Sequence, residues 1–222
     1  MIERASPNFN DRLAPVSMVV CHYTGMPDAA SALDRLTDPA AQVSAHYVVA
    51  EDGTVVRLVD EAKRAWHAGK SYWRGVTDVN SASVGIEIVN PGHEFGYVPF
   101  PEAQMAAVEA LVRGIVGRYG VAPGNVVGHS DIAPARKDDP GELFDWPRLA
   151  RAGLADLVPA AGADPGWTDA GFLTALNRYG YDVSDGQAAV VAFQRHFRPR
   201  DFSGTIDAET RGVLLRLLRP DL

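Results

Sequence analysis

The chain has 222 residues, 46% of them hydrophobic and 22% charged, with a formal net charge of −7. That length holds one large domain, or a medium domain with a small partner, and the composition is that of a globular protein rather than a disordered, collagenous or coiled-coil one. An acidic balance argues against a nucleic-acid partner, which needs a basic surface to displace counterions from phosphates. Cysteine occurs once, at Cys21 inside the apolar run "SMVVCHY", which excludes an intramolecular disulfide and marks a small buried residue. No basic stretch followed by an apolar one opens the chain, and no run approaches the roughly 20 apolar residues of a membrane span, so a soluble cytoplasmic protein is expected, or a periplasmic or cell-envelope one if the N-terminus is trimmed.

In chain order, "SMVVCHYT" reads as a strand, "AASALDRLTD" as a helix, and "AHYVVAEDGTVVRLV" as a hairpin turning at Asp52-Gly53. "SVGIEIVN" is a second strong strand, and "PEAQMAAVEALVRGIVGRYG" a long amphipathic helix ended by Gly120. The segment "VVGHSDIAPARKDDPGELFDW", punctuated by Gly and Pro, reads as loop. A linker is expected at 158–166, "VPAAGADPG", separating residues 1–157 from a small module at 167–222. That module carries three short helical patterns, near "TDAGFLTALNRYG", "GQAAVVAFQRHF" and "DAETRGVLLRLL". The expected fold is therefore α/β: a mixed central sheet flanked by helices, plus a C-terminal three-helix domain.

Strand alternation places the chemistry. In the first strand Val20 and His22 share one face, while Val19, Cys21 and Tyr23 share the other. In "SVGIEIVN", Val84, Ile86 and Ile88 lie opposite Gly85, Glu87 and Val89, which leaves Glu87 as a carboxylate inside an apolar strand. Desolvation there raises a carboxyl pKa unless a cation is near, as a general base working close to neutral pH requires. Lys137 and Asp139, separated by one residue, point to the same side of an extended segment, and His129 ends the apolar run "GNVVGH". Asp139 can hold a cation through oxygen, Lys137 can stabilise an oxyanion beside it, and His129 can supply nitrogen. Two histidines and a carboxylate form a three-ligand catalytic zinc set, although no compact HExxH or CxxC pattern is present and structural histidines remain an alternative.

The stretches "VVCHYTG", "SAHYVVAEDGTVVRLV", "WHAGKSYWRG", "SVGIEIVN" and "GHSDIAPARKDDPGELFDW", in this order, resemble the zinc-dependent N-acetylmuramoyl-L-alanine amidases of the type 2 amidase family, relatives of the peptidoglycan recognition proteins. The resemblance spans roughly residues 15–155. It implies one Zn2+ per chain held by His22, His129 and Asp139, with Glu87 activating water and Lys137 stabilising the tetrahedral oxyanion. It further implies cleavage of the amide between the lactyl group of muramic acid, anhydro or not, and L-Ala of the stem peptide, with peptidoglycan or muropeptide fragments as partners. A non-catalytic recognition module is the alternative, one that would normally lack a ligand.

His46 is read as packing behind the ligands rather than as a fourth ligand, because catalytic zinc keeps a position open. Trp66 and His67 are expected on the groove wall. Trp73 and Arg74, in a polar aromatic loop, and Asn90, at the end of the catalytic strand, are expected to touch substrate, with Arg74 gripping stem-peptide carboxylates. His93 and His196 are expected at the surface, and Cys21 as a bystander. Ala135 stands where relatives usually carry glycine. The C-terminal segment resembles the small three-helical peptidoglycan-binding domain, through Phe193-Gln194 and a "GTIDAET" turn in which Asp207 caps the last helix, with Thr210 at the third helical position.

Overall fold

The computed structural model describes residues 1–156, 162–219 and 221. In chain order the elements are β1 (Ile2–Glu3), β2 (Phe9–Asp11), β3 (Met18–Tyr23), α1 (Ala29–Thr37), β4 (Tyr47–Val49), β5 (Val55–Arg57), β6 (Lys63–Ala65), α2 (Val79–Ala82), β7 (Ser83–Ile88), α3 (Gly92–Phe95), α4 (Glu102–Tyr119), β8 (Val126–Gly128), α5 (His129–Ile132), α6 (Trp146–Arg151), α7 (Asp169–Tyr179), α8 (Gly186–Phe197) and α9 (Ala208–Leu218). No helix among the described residues is long and apolar enough to cross a membrane.

Six strands form the central sheet in the order β1-β5-β4-β7-β3-β8. All neighbours pair in parallel except the β4–β5 hairpin, where Val49 faces Val55 across the Asp52-Gly53 turn. Gly53 sits at φ +85, and a Cβ there would meet the Ala103 carbonyl oxygen at 2.7 Å, so the turn needs glycine. The central strands β3 and β7 are almost uniformly apolar because both sheet faces are covered. On one face Val19, Cys21, Val84, Ile86 and Ile88 pack against Met105, Val108, Val112 and Ile115 of α4. Gly120 ends α4 in the left-handed conformation, its N–H donating to the Val116 carbonyl.

The opposite face carries Met18, Val20 and Val127, and what covers it departs from the picture of an appended module. Phe172, Leu176, Phe193 and Leu214 of the C-terminal helices, with Tyr181 from the connection between α7 and α8, join these strand residues in one continuous buried cluster. The expected linker falls partly outside the described residues, at 158–161. Within the helical module the "GTIDAET" turn is built as its residues imply: Asp207 accepts from the Thr210 N–H, and the buried Gln194 amide bonds Thr205 O, Thr210 Oγ1 and Gly204 N.

The segment expected to be loop is only partly so. Residues 126–128 form β8 against Val19–Cys21, and residues 129–132 make the single turn α5, because pairing with the buried β3 offers their backbone a ladder that local sequence cannot reveal. Ala135 is unstrained: among the described non-glycine residues only Gln42 and Arg74 have positive φ.

Candidate active site

Three parallel strands deliver the site. His22 on β3 is in register with Glu87 on β7, so the two side chains emerge side by side from the same face, about 4.8 Å apart along the hydrogen-bonding direction. Gly128 of β8 pairs with Cys21, which brings His129, one residue further on, beside His22. The row lies at the carboxyl ends of the strands, where open parallel sheets place their ligand crevices. Asp139 reaches it from the following loop: its Oδ2 lies 3.0 Å from His22 Nδ1 and 3.1 Å from His129 Nδ1, and the two Nδ1 atoms are 3.0 Å apart.

These three atoms suit one cation. They approach the roughly 3.3 Å separation of ligands on a tetrahedral metal with bonds near 2.0–2.1 Å. Among the described residues, they are the group of histidine, cysteine and carboxylate side chains whose donor atoms converge in this way. All three residues are buried. Burial, with His129 close by, holds the His22 ring neutral, its pKa pushed down to about 4. Asp139 is pushed up by burial, but the imidazoles of His129 and His22 outweigh that and hold it well below the usual carboxylate range. A neutral His22 imidazole and an ionised Asp139 carboxylate are protonation states a divalent metal needs.

Glu87 behaves differently. Burial first, then the Asp139 charge, lifts its carboxyl well above the usual range, with Lys137 pulling the other way. Its Oε2 is buried without a hydrogen-bond partner. An orphaned carboxylate oxygen with a raised pKa, facing the same hollow as the ligands, is equipped to take a proton from a bound molecule. His22, Glu87, His129, Lys137 and Asp139 all line one cleft of about 560 Å³. A larger hollow of about 790 Å³, along α4, contains none of them.

The other predicted residues divide. Trp66 and His67 do line the cleft, with Trp66 Nε1 donating to Asn10 Oδ1 and His67 seated behind His22. Trp73, Arg74 and Asn90 do not line it. Trp73 is 2% exposed, packed edge-on against Tyr179 and Tyr181, with its Nε1 donating to Gly124 O. Arg74 donates to the Tyr179 carbonyl and lies over the Trp73 and Tyr179 rings, so this pair fastens the C-terminal helices to the sheet instead of gripping a ligand. Asn90 is buried in a turn, with its Nδ2 donating to Val98 O and its Oδ1 accepting from Gly92 N. His196 is not at the surface: it is 5% exposed, stacked between Trp146 and Phe197, with Nδ1 2.8 Å from Asp131.

His93 is exposed, as expected, beside Tyr23 and Glu142. His46 is fully buried and packs away from the ligand atoms; its Nδ1 accepts from Gly85 N and its Nε2 donates to Lys63 O. Cys21 lies on the opposite face with its thiol pushed up to about 12 by burial, so it is unreactive. Sequence reading missed Arg35 and Arg136, the guanidinium groups that do line the cleft. Arg136 lay in plain view beside Lys137. Arg35, on α1, carries no local signal, because only the packing of that helix against the sheet brings it to the cleft.

Comparison with known proteins places the chain among related sequences and folds. The family model described as N-acetylmuramoyl-L-alanine amidase matches residues 12–142. The N-acetylmuramoyl-L-alanine amidase AmiD of Escherichia coli is 40% identical over 91% of this chain and 82% of its own length. The 1,6-anhydro-N-acetylmuramyl-L-alanine amidase AmpD of Enterobacter cloacae is 42% identical over 48% of this chain and 55% of its own. Among solved structures, Escherichia coli AmiD in complex with anhydro-N-acetylmuramic acid-L-Ala-D-gamma-Glu-L-Lys superposes with a TM-score of 0.84 at 38% identity, covering 95% of this chain and 92% of that one. AMPDH3 of Pseudomonas aeruginosa in complex with anhydromuramic pentapeptide gives 0.80 at 33% identity, covering 96% and 93%. With residues 12–142, more than half its length, matched by the family model and AmiD 40% identical over 91% of it, the chain belongs to the N-acetylmuramoyl-L-alanine amidase family.

Proposed function

We propose that this chain is a zinc-dependent N-acetylmuramoyl-L-alanine amidase, cutting the amide between the lactyl group of muramic or anhydromuramic acid and L-Ala of the stem peptide in peptidoglycan turnover or recycling. The observation that carries the reading is the meeting of His22, His129 and Asp139 beside the unpartnered carboxylate of Glu87. When bound there, zinc supplies Lewis acidity, polarising a carbonyl and lowering the pKa of a water to about 7.

The remaining work falls to the side chains. Glu87, its carboxyl lifted above the usual range by burial, accepts a proton from the attacking water and returns it to the departing amine of L-Ala. Lys137, on the same cleft wall, stabilises the negative charge that develops on the former carbonyl oxygen. Arg35 takes the role first sought at Arg74, gripping a stem-peptide carboxylate from within the cleft. The ligands in the AmiD and AMPDH3 complexes support anhydro-muropeptides as substrates.

Mass spectrometry of products tests this. Zinc-loaded protein and its Glu87→Ala variant are incubated with whole sacculi and with purified anhydro-muropeptides. Release of free stem peptide by the parent only is expected, and the faster substrate separates recycling from wall remodelling. Binding without cleavage by the zinc-loaded parent would replace the amidase reading with that of a recognition module.

A further inference from the structure

The segment after β6 was read as cleft wall, yet its buried contacts run toward the two candidate histidine ligands. We infer that His67 and Ala68 form a positioning hub that fixes the ring proton of both His22 and His129 on Nε2, leaving both Nδ1 atoms bare toward the cation. The inference rests on the ligand reading above.

The polarity follows from a chain of contacts that ends on a group able only to accept. Ser83 Oγ lies 2.6 Å from the Val79 carbonyl oxygen, so the hydroxyl must donate to it. Ser83 Oγ is then left to accept from His67 Nε2, 3.2 Å away, which puts the proton of the neutral His67 ring on Nε2. His67 Nδ1 is bare in consequence and accepts from His22 Nε2 at 3.0 Å. The proton of His22 is thereby drawn to the far side of its ring, and Nδ1 faces Asp139 and His129. The next residue does the same for the second ligand, since the Ala68 carbonyl oxygen lies 3.2 Å from His129 Nε2 and can only accept.

Two further features hold the hub still. Asn80 Oδ1 accepts from the backbone N–H of both His67 and Ala68, at 3.0 and 2.8 Å. Gly85, on β7 beside Val20 of β3, leaves room for the imidazole: a Cβ there would come within 2.5 Å of the His67 ring. His67 is 8% exposed and Ser83 fully buried, so water does not substitute for either partner. Outer hydrogen bonds of this kind set the tautomer and orientation of ligating histidines, and losing them costs about 10–100-fold in metal affinity.

The test uses the full chain labelled with 15N-histidine and loaded with zinc. Two-bond proton–nitrogen correlation is expected to show His67, His22 and His129 all protonated on Nε2. Zinc affinity, read by chelator competition, should fall about 10–100-fold in His67→Phe, which keeps a ring but has no acceptor. His67→Asn, whose Oδ1 can stand where Nδ1 stood, should recover most of that loss. A parent spectrum with His67 protonated on Nδ1 overturns the inference, as does a folded His67→Phe protein that binds zinc like the parent. His22→Ala separates the two readings: if it retains the parent's zinc affinity, the ligand assignment itself falls, whereas its loss alongside an unaffected His67→Phe removes the hub alone. Should His67→Phe not fold, the parent spectrum decides.

Discussion

Acid should destabilise the metal-free protein through His46 in a way that can be isolated from every other titrating group. His46 is fully buried, and burial, together with the Arg12 guanidinium 2.8 Å from Nε2, pushes its pKa from the ordinary 6.5 down to about 4, against the hydrogen bond to the Lys63 carbonyl. As pH falls, the unfolded chain therefore takes up the proton first, and stability is lost from about pH 6.5 until the folded form also protonates near pH 4. At about 1.36 kcal/mol per pH unit, this one ring costs about 2 kcal/mol between pH 7 and pH 5 and about 3 kcal/mol below pH 4. The assay is urea unfolding of parent and His46→Asn, both with chelator, at pH 7 and pH 5. His46→Asn starts from a lower stability at pH 7, having lost the bond to Lys63 O, but its drop on acidification should be smaller than the parent's by about 2 kcal/mol. Equal drops in the two proteins would refute the reasoning, whatever their absolute stabilities.

Three other outcomes are expected. Leu176→Ala, at a fully buried site shared by the C-terminal helices and the sheet, should cost about 2–5 kcal/mol while the molecule still melts in one calorimetric transition; two separated transitions would show that the helices are an independent unit. Glu87→Gln should keep one zinc per chain by elemental analysis and lose about 10²–10⁴-fold in kcat, and a parental kcat would remove Glu87 from the reaction. Arg195 on α8 is 8% exposed and holds Asp138 at 2.9 Å, between Lys137 and Asp139, so Arg195→Met should loosen that loop and lower kcat by up to about 10²-fold with zinc retained, whereas unchanged turnover would show the contact to be incidental.

Much of the site was legible in one dimension because strand alternation is local. A period of two places His22 opposite Cys21 and Glu87 opposite Ile86 with no knowledge of the fold, and the two hydrophobic clusters keep those faces apart as the alternation requires. Helix ends were legible for the same reason: Gly120 and Asp207 act on backbone groups within four residues of themselves. Residue type and strand face singled out His22, His129 and Asp139, and the resemblance joined them into one ligand set, since nothing in spacing alone brings them to one point; the register of β3 and β8 brings His22 and His129 together, and the loop after α5 delivers Asp139.

What tertiary structure decided concerns residues whose chemistry looks the same buried or exposed. Trp73, Arg74 and His196 are amphipathic side chains that suit a wet groove as well as a domain seam, and only the burial of α7 and α8 against the sheet sends them to the seam. The hub at His67 and Ala68 was hidden in another way, because its partners, Ser83, Val79 and Asn80, act through a hydroxyl, a carbonyl and an amide oxygen that carry no sequence signature. Periodicity tells which face a side chain takes; which distant group waits on that face is set by chain topology, because a hydrogen bond needs a partner at about 3 Å and not at any fixed distance along the sequence.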